Sequence, residues 1–333
     1  MKTFIKVGVT LGDPNGIGPE IILRTFSDSR LVNDSIIVIY SPIEIIDYYI
    51  NILDLSLSYN ILNSSSHAKI GKANLFPIAH SNFHVSMGIS NKASGEIAYK
   101  SLSAASKDMM QNKIDCIVTA PIDKKTIQNQ HFNFNGHTEY FTNLNKEKNS
   151  LMLMVNNKLK VGIVTNHISV NEVSTSLTTS QIFNKIELMH HSLVKDFNVK
   201  NPKIALLGLN PHSGDMGLIG KEEIEIISPT IKKANQNNYN VFGPFSADGF
   251  FASGNYQSYD GILGMYHDQG LIPFKILSQN EGVNFTAGLS FIRTSPDHGT
   301  AYDIVGKNKA NCNSFKNAIK TAKEIYLNRK MLN

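Results

Sequence analysis

The chain has 333 residues, of which 41% are hydrophobic and 18% charged, and its formal net charge is +5. This length favours two domains, and the composition excludes a chain that is disordered throughout. The basic residues are dispersed, which argues against nucleic-acid binding and indicates only a mild preference for anionic small molecules. Two distant cysteines, a first segment unlike a signal peptide and the absence of long apolar runs predict a cytoplasmic protein without disulfides or a membrane span.

Short apolar runs of strand length alternate with longer amphipathic stretches. This alternation predicts an α/β fold in which helices cover both faces of a parallel sheet. The predicted strands are residues 5–10, 35–40, 116–119, 150–155, 161–165, 204–209 and 261–265. The predicted helices are residues 17–26, 91–111, 181–197, 222–237 and 314–328. We place one domain at residues 1–130 plus 305–333 and the other at residues 131–304, with a boundary in a polar, Asn-rich stretch.

Two glycine-rich segments are candidates for binding a nucleotide. The segment at 12–18 lies between a strand and a helix, but Ile21 stands where G-x-G-x-x-G requires glycine. The segment ending at Lys221 is followed by Glu222, whereas a P-loop requires serine or threonine there. A standard Rossmann site is therefore excluded, and nucleoside triphosphate hydrolysis is disfavoured.

Three of the eleven histidines follow predicted strands at equivalent positions. His167, His212 and His267 each come two or three residues after the end of a strand. The carboxyl edge of an open α/β sheet is where ligands bind. One such histidine is most often a packed residue, but three imidazoles at one edge are typical of a catalytic divalent-metal site. The sequence contains no H-E-x-x-H pattern, so a metalloprotease has no support.

Three further segments are suited to a ligand. His137 and Thr138 stand near a predicted helix start, where backbone N–H groups favour an anion. A second segment offers a point charge, an amide and a planar guanidinium, which suit phosphate or carboxylate; these belong to Lys275, Asn284 and Arg293. In the third segment, residues 294–307, small residues would let a cofactor lie close to the backbone.

These motifs together resemble one enzyme family. The ordered set is G-D-P-N-G-I-G-P-E, A-P-I-D-K, G-H-T-E-Y-F, N-P-H-S-G, M-Y-H-D-Q-G and G-V-N-F-T-A-G-L-S-F-I-R-T-S-P-D-H-G-T-A. It is similar to that of the 4-hydroxythreonine-4-phosphate dehydrogenase (PdxA) family of the vitamin B6 pathway and covers nearly the whole chain. The segment D-H-G-T-A-Y-D-I-V-G-K also resembles the cofactor loop of isocitrate and isopropylmalate dehydrogenases.

The resemblance implies a homodimer of two-domain α/β subunits, with a cleft between the domains. It implies that a divalent metal (Zn²⁺, Co²⁺ or Mg²⁺) is bound by His167, His212 and His267, one of them supplied by the second subunit. The implied substrate contacts are His137, Thr138, Lys275, Asn284 and Arg293. The implied positions for NAD, or NADP, are Gly299, Thr300, Asp303 and Gly306.

The implied reaction is the oxidation and decarboxylation of 4-phosphooxy-L-threonine to 3-amino-2-oxopropyl phosphate. Asp248, Asp268 and Lys275 remain unranked candidates for the general base. The chain departs from the family where Asp215 replaces a common glutamate and Gly249 a common threonine. A dehydrogenase of 4-phospho-D-threonate or 4-phospho-D-erythronate shares every motif and stays an alternative. A non-catalytic metal-dependent binder of small molecules is a more distant alternative. Such a protein would keep the anion site and lose the cofactor loop, whereas this chain has both sets of residues.

Overall fold

The computed structural model describes residues 4–80, 83–146 and 149–332. Its strands are β1 (Lys6–Thr10), β2 (Ile36–Ser41), β3 (Tyr59–Ile61), β4 (Ala73–Pro77), β5 (Cys116–Thr119), β6 (Leu151–Val155), β7 (Lys160–Thr165), β8 (Lys203–Leu207), β9 (Asn240–Phe245), β10 (Gly261–Tyr266), β11 (Val283–Ala287) and β12 (Arg293–Pro296). All seven predicted strands and all five predicted helices are present, and the α/β fold class is confirmed.

The helices are α1 (Gly18–Phe26), α2 (Ser29–Asp34), α3 (Ile43–Ile52), α4 (Lys92–Met110), α5 (His137–Leu144), α6 (Val170–Ser176), α7 (Thr179–Lys195), α8 (Ser228–Gln236), α9 (Ala247–Ala252), α10 (His267–Ser278) and α11 (Asn313–Met331). Several start at the side chains expected to cap them. Asn91 accepts the N–H of Ser94 at the start of α4, and Thr178 accepts that of Gln181 in α7. A π-helical turn at Glu223–Ile227 precedes α8. Among the helices of the described residues, none is long and apolar enough to cross a bilayer.

The first compact unit comprises Met1–Tyr140 and Phe291–Tyr326. Its strands lie in the order β3-β4-β2-β1-β5-β12, and the pairings along this order are parallel. β1 and β2 are rich in Val and Ile and almost wholly buried, as expected of a parallel sheet covered by helices. The helix α4 packs against β1, β2 and β5.

The second compact unit comprises Phe141–Ser290 and Leu327–Asn333. Its strands lie in the order β11-β6-β7-β10-β8-β9. β10 pairs in parallel with β7 and β8, but β6 is antiparallel to both β7 and β11. The expectation of a wholly parallel sheet is wrong at β6. The link from β6 to β7 is too short for a crossover, and Asn156 closes it as a turn by accepting the N–H groups of Lys158 and Leu159.

The units divide the chain at Tyr140, at Phe291 and again after Tyr326. We placed the boundaries at residues 130 and 304 and assigned all of residues 305–333 to the first domain. An aromatic cluster accounts for the first difference, because the rings of Phe132, Phe134 and Tyr140 lie 5.3–5.7 Å apart in the first unit. Strand β12 accounts for the second, since it pairs with β5.

Candidate functional site

The carboxyl ends of three neighbouring strands of the second unit are tied together by side chains. Thr165, at the end of β7, donates its hydroxyl to the carbonyl of Met265 in β10 at 2.7 Å. The amide of Gln269 accepts the Met265 N–H at 2.7 Å and donates to the carbonyl of Gly208, just past β8, at 2.6 Å. These bonds fix the strand ends from which the three candidate metal-binding histidines continue.

His167 and His267 lie close to each other at this edge. His167 comes two residues after β7, and His267 is the first residue of α10, directly after β10. Their ring centroids are 5.9 Å apart. The Nδ1 atom of His267 lies 2.7 Å from a carboxylate oxygen of Asp268, so this bond leaves Nε2 for another partner. Two imidazoles this close are suited to binding one ion.

His212 differs from the prediction in its distance from the strand. It follows the end of β8 by five residues, not by two or three. Just past the strand end, the carbonyl of Gly208 accepts the side chain of Gln269. The residues from 212 to 216 all have positive φ, between 43° and 80°. We refer to these five residues as the left-handed segment, a conformation that costs about 1–2 kcal/mol for each residue other than glycine.

A buried carboxylate holds the left-handed segment in place. Glu223 is 2% exposed and accepts the backbone N–H of Asn210 at 2.7 Å and its side-chain amide at 2.9 Å. The hydroxyl of Ser213 donates to the carbonyl of Pro244 at 3.0 Å. At Gly214 a Cβ atom would come within 2.5 Å of the Glu223 carboxylate, so a larger residue does not fit. Several contacts therefore impose this strained backbone, as is common at functional sites.

The three histidines do not all converge within one chain. In the part of the chain that the structure describes, no three His, Cys, Asp or Glu side chains are grouped so that they could hold a metal ion. The structure thus brings His167 and His267 together and does not add His212 to them.

Of the three candidate bases, two lie next to a histidine. Asp268 contacts His267, as described above. Asp248 in α9 accepts the hydroxyl of Ser246 at 2.6 Å. The hydrogen bond from Ser246 is the main cause that lowers the pKa of Asp248, followed by the one from the N–H of Gly249. The electrostatic effect of His212 is smaller and acts in the same direction. A Cβ at Gly249 would meet nothing within 4 Å, so the departure from threonine at this position follows from no steric demand.

Lys275 and Asn284 occupy different elements of the second unit. Lys275 is exposed on α10, seven residues after Asp268 and therefore on the same helical face. Asn284 lies in β11, and its amide oxygen is buried with no hydrogen-bond partner in the described residues. Buried polar atoms are rarely left without a partner, so a ligand is a natural donor to this oxygen.

Arg293 is a buried cation in the first unit. It is 2% exposed, and two of its guanidinium nitrogens donate to the hydroxyl of Thr119, at 2.7 and 3.1 Å. Burial lowers the pKa of Arg293 to about 9, and Glu139 acts in the opposite direction. The group therefore stays charged at neutral pH. A guanidinium carries five N–H donors in a planar fork, a geometry that suits a carboxylate or phosphate ligand.

His137 and Thr138 begin α5 beside this cation. Thr138 is buried, and His137 is half-buried with its Nε2 atom enclosed. Burial, followed by the charges of Arg293 and Lys124, lowers the pKa of His137 well below its usual value. The imidazole is therefore neutral at physiological pH and can bind an anion as a hydrogen-bond donor without adding charge.

The predicted cofactor residues lie in the segment 298–306 of the first unit, which we call the cofactor segment. Gly299, Asp303 and Gly306 are exposed and Thr300 is half-buried. A Cβ at Gly299 would meet nothing within 4 Å, so the backbone there is open to an incoming molecule. The carbonyl of Thr300 accepts the N–H of Ile17 at 2.9 Å and anchors the segment.

Several residues of this site were not singled out in the sequence. Gln269 and Lys124 stood within quoted motifs, but only the fold shows what they contact. Thr119 lay in a predicted strand, and nothing marked it as the partner of Arg293. Glu223 carried no signal, because its role depends on a backbone conformation that residue types did not predict.

Comparison with known proteins first identifies a dehydrogenase structure that shares this α/β fold. A crystal structure of a terephthalate 1,2-cis-dihydrodiol dehydrogenase from Burkholderia xenovorans is 22% identical, with a TM-score of 0.62 over 97% of this chain and 98% of that one. At this identity the likeness shows the fold alone.

Closer relatives then define the family. The crystal structure of 4-hydroxythreonine-4-phosphate dehydrogenase from Klebsiella pneumoniae is 31% identical, with a TM-score of 0.85 over 97% of this chain and 98% of that one. A Bacteroides thetaiotaomicron protein of the same name is 43% identical over 326 residues, 98% of this chain and 90% of that protein. The family model of the pyridoxal phosphate biosynthetic protein PdxA matches residues 33–322. The chain therefore belongs to the PdxA family, as its motifs predicted.

Proposed function

We propose that this protein is a dehydrogenase that oxidises 4-phosphooxy-L-threonine with NAD and releases CO₂, yielding 3-amino-2-oxopropyl phosphate for pyridoxal phosphate synthesis. Membership of the PdxA family and the name shared by its relatives support a nicotinamide-dependent dehydrogenase that acts on a phosphorylated hydroxy acid. The observation that carries the proposal is the pair of imidazoles of His167 and His267, 5.9 Å apart at the strand ends.

We assign the divalent metal to His167, His212 and His267. A set of three imidazoles suits Zn²⁺ or Co²⁺ better than Mg²⁺, which prefers oxygen ligands. When bound, such an ion supplies Lewis acidity to a substrate hydroxyl and carbonyl. Asp268 orients His267 through its bond to Nδ1. That role makes Asp248 and Lys275 the stronger candidates for the base that takes the hydroxyl proton.

A second copy of the chain accounts for the third histidine. Each of the three histidines is followed by strongly exposed apolar side chains, which a subunit interface would remove from water. The most exposed after each histidine are Val170 at 79%, Met216 at 93% and Ile276 at 69%. We propose that these side chains are covered in a homodimer and that one histidine of each metal site comes from the partner subunit.

The remaining residues bind the substrate and the cofactor. Arg293 supplies the charge for the phosphate, with His137 and Thr138 as hydrogen-bond donors, and Lys275 adds a second cation. The buried oxygen of Asn284 accepts a donor of the substrate. We assign NAD to Gly299, Thr300, Asp303 and Gly306; the first, third and fourth of these are exposed, and the backbone at Gly299 is open.

The decisive experiment compares three substrates on the purified protein. NADH formation from NAD is followed with 4-phosphooxy-L-threonine, 4-phospho-D-threonate and 4-phospho-D-erythronate, before and after removal of the metal by a chelator. We expect the highest kcat/KM for 4-phosphooxy-L-threonine, loss of turnover after chelation, and recovery with Zn²⁺ or Co²⁺. A higher kcat/KM for either sugar acid would contradict the substrate assignment. No NADH from any of the three would contradict the dehydrogenase function.

A further inference from the structure

A buried carboxylate in the first unit lies outside the positions assigned to metal and substrate. Asp13 has no exposed surface. One of its carboxylate oxygens accepts the backbone N–H of Asn15 at 2.9 Å. The other accepts the hydroxyl of Tyr302 at 2.9 Å. The hydroxyl of Ser94 lies 3.0 Å from the same oxygen and 2.8 Å from the carbonyl oxygen of Asn91, so it is shared between two acceptors. A carboxylate is retained in a core only when such donors satisfy it, so each of these bonds stabilises the arrangement.

The phenol that reaches Asp13 comes from the cofactor segment. Tyr302 is half-buried, and its hydroxyl also lies 3.3 Å from a carboxylate oxygen of Asp123. Asp123 already accepts the hydroxyl of Ser90 at 2.7 Å and the N–H of Lys125 at 2.8 Å. One phenolic hydrogen serves one acceptor at a time. The shorter distance and the deeper burial therefore make Asp13 the main partner of Tyr302.

The backbone of the cofactor segment also rests closely on two glycines. At Gly16 a Cβ atom would lie 2.9 Å from the carbonyl oxygen of Thr300. At Gly88, whose φ is +77°, a Cβ atom would lie 2.9 Å from the carbonyl oxygen of Tyr302. The middle of the cofactor segment, residues 300–302, is therefore held by the close approach of its backbone to Gly16 and Gly88 and by the hydrogen bond of the Tyr302 phenol. Gly299 and Asp303, on either side, remain exposed.

We propose that Tyr302 is a positioning residue for the nicotinamide cofactor, acting through its hydrogen bond to Asp13. The bond holds the cofactor segment in the conformation that receives the nucleotide, so binding does not have to order a mobile loop. Tyr302 touches no reacting atom in this scheme. The inference rests on the proposed function only in assigning NAD to this segment.

The test variant is Tyr302→Phe, which removes the hydroxyl and keeps the ring. We expect the Kd for NADH, measured by fluorescence titration, to rise about tenfold, the size expected for one hydrogen bond to a charged group. The KM for NAD should rise similarly, while kcat at saturating NAD stays nearly unchanged. Backbone amides of residues 298–306 should exchange hydrogen faster in the free variant and regain protection when NADH saturates it.

Two further variants separate positioning from general damage. Tyr59→Phe breaks a surface bond of the same kind, to Asp47 at 2.5 Å, and should leave the Kd for NADH unchanged. In a double-mutant cycle, Tyr302→Phe should cost little affinity once Asp13→Asn is present, because the two residues share one interaction.

The outcomes distinguish this inference from the proposed function. If the unaltered protein binds NADH and folded Tyr302→Phe binds it equally well, Tyr302 does not position the cofactor, whatever happens to hydrogen exchange. Additive losses in the cycle would also overturn the role of Asp13. If the unaltered protein fails to bind NADH, the proposed function is contradicted and the inference falls with it.

Discussion

The carboxylate of Glu223 lies 2.7 Å from the backbone nitrogen of Asn210 and so holds the start of the turn that carries His212. Glu223 is far from the strand end in sequence but adjacent to the left-handed segment in space, where it also limits residue 214 to glycine. A side chain outside the proposed set of metal ligands thereby helps to determine the position of one of them.

Glu223→Gln should therefore lower both stability and metal affinity. The amide keeps the shape of the side chain but weakens bonds that the carboxylate accepts, at a cost of about 1.5–3 kcal/mol in the free energy of unfolding. Urea denaturation measures this cost, and titration of Zn²⁺ into the metal-free protein measures the affinity. The control is Glu225→Gln, an exposed glutamate of the same helical turn. Equal Zn²⁺ affinity in Glu223→Gln and the control would exclude the positioning role.

The shared metal site makes a specific prediction for mixtures of inactive variants. His167→Ala, His212→Ala and His267→Ala should each abolish turnover as homodimers. Mixing two of them restores one intact site in the heterodimer only when their histidines come from opposite subunits. We therefore expect two of the three pairwise mixtures to recover activity, which identifies the histidine that crosses the interface. Differently tagged copies establish subunit exchange. Failure of all three mixtures after proven exchange would place the whole set in one subunit.

Arg293→Lys should weaken the binding of inorganic phosphate about tenfold. Lysine keeps the charge but loses the planar fork that contacts both Thr119 and an anion. The measurement is the rise in Tm on adding phosphate, compared for each protein with its own phosphate-free Tm. Arg30→Lys, an exposed arginine in the same unit, is the control. A phosphate-induced rise as large as that of the unaltered protein would remove Arg293 from the anion site.

His137 should make the protein less stable in acid. Its pKa is lowered in the folded state, so below the ordinary value of 6.5 the unfolded chain takes up a proton that the folded chain refuses. The free energy of unfolding should fall with decreasing pH below 6.5, by at most about 1.4 kcal/mol per pH unit from this group. His137→Gln should flatten the dependence, whereas His67→Gln, at an exposed histidine, should not. Identical slopes in the two variants would contradict the burial of this imidazole.

The strands that the sequence predicted are those whose side chains are mostly apolar. Buried runs of β-branched residues, as in β2 and β7, can be recognised without tertiary information. Five strands were missed. The strands β3 and β4 are short and contain Asn or Pro. In β9, β11 and β12, Asn, Gly, Pro, Arg and Thr interrupt the pattern. Long-range pairing with β8, β6 and β5 makes these segments extended, and a local pattern contains no such information.

The residues of the candidate site likewise fall into those that a local pattern reveals and those that only the fold brings together. The three histidines were located by their positions after predicted strands, and Arg293 by its place in a segment whose groups suit an anion. The left-handed segment escaped prediction because only one of its five residues is glycine, and its conformation depends on Glu223, Pro244 and Gln269. The partnership of Asp13 and Tyr302 joins residues at opposite ends of the chain, which no local reading connects.

The insertion of the second unit into the first affects how the protein is made. Residues 1–140 leave the ribosome without β12, whose Arg293 and Thr294 pair with Ile117 and Val118 of β5. At about 5–20 residues per second, the edge of β5 waits on the order of ten seconds for its partner while residues 141–290 of the second unit are synthesised. An unpaired strand edge invites association with other chains. Newly made protein is therefore most prone to aggregate in this interval, and the step that closes the edge also delivers the buried cation to the anion site.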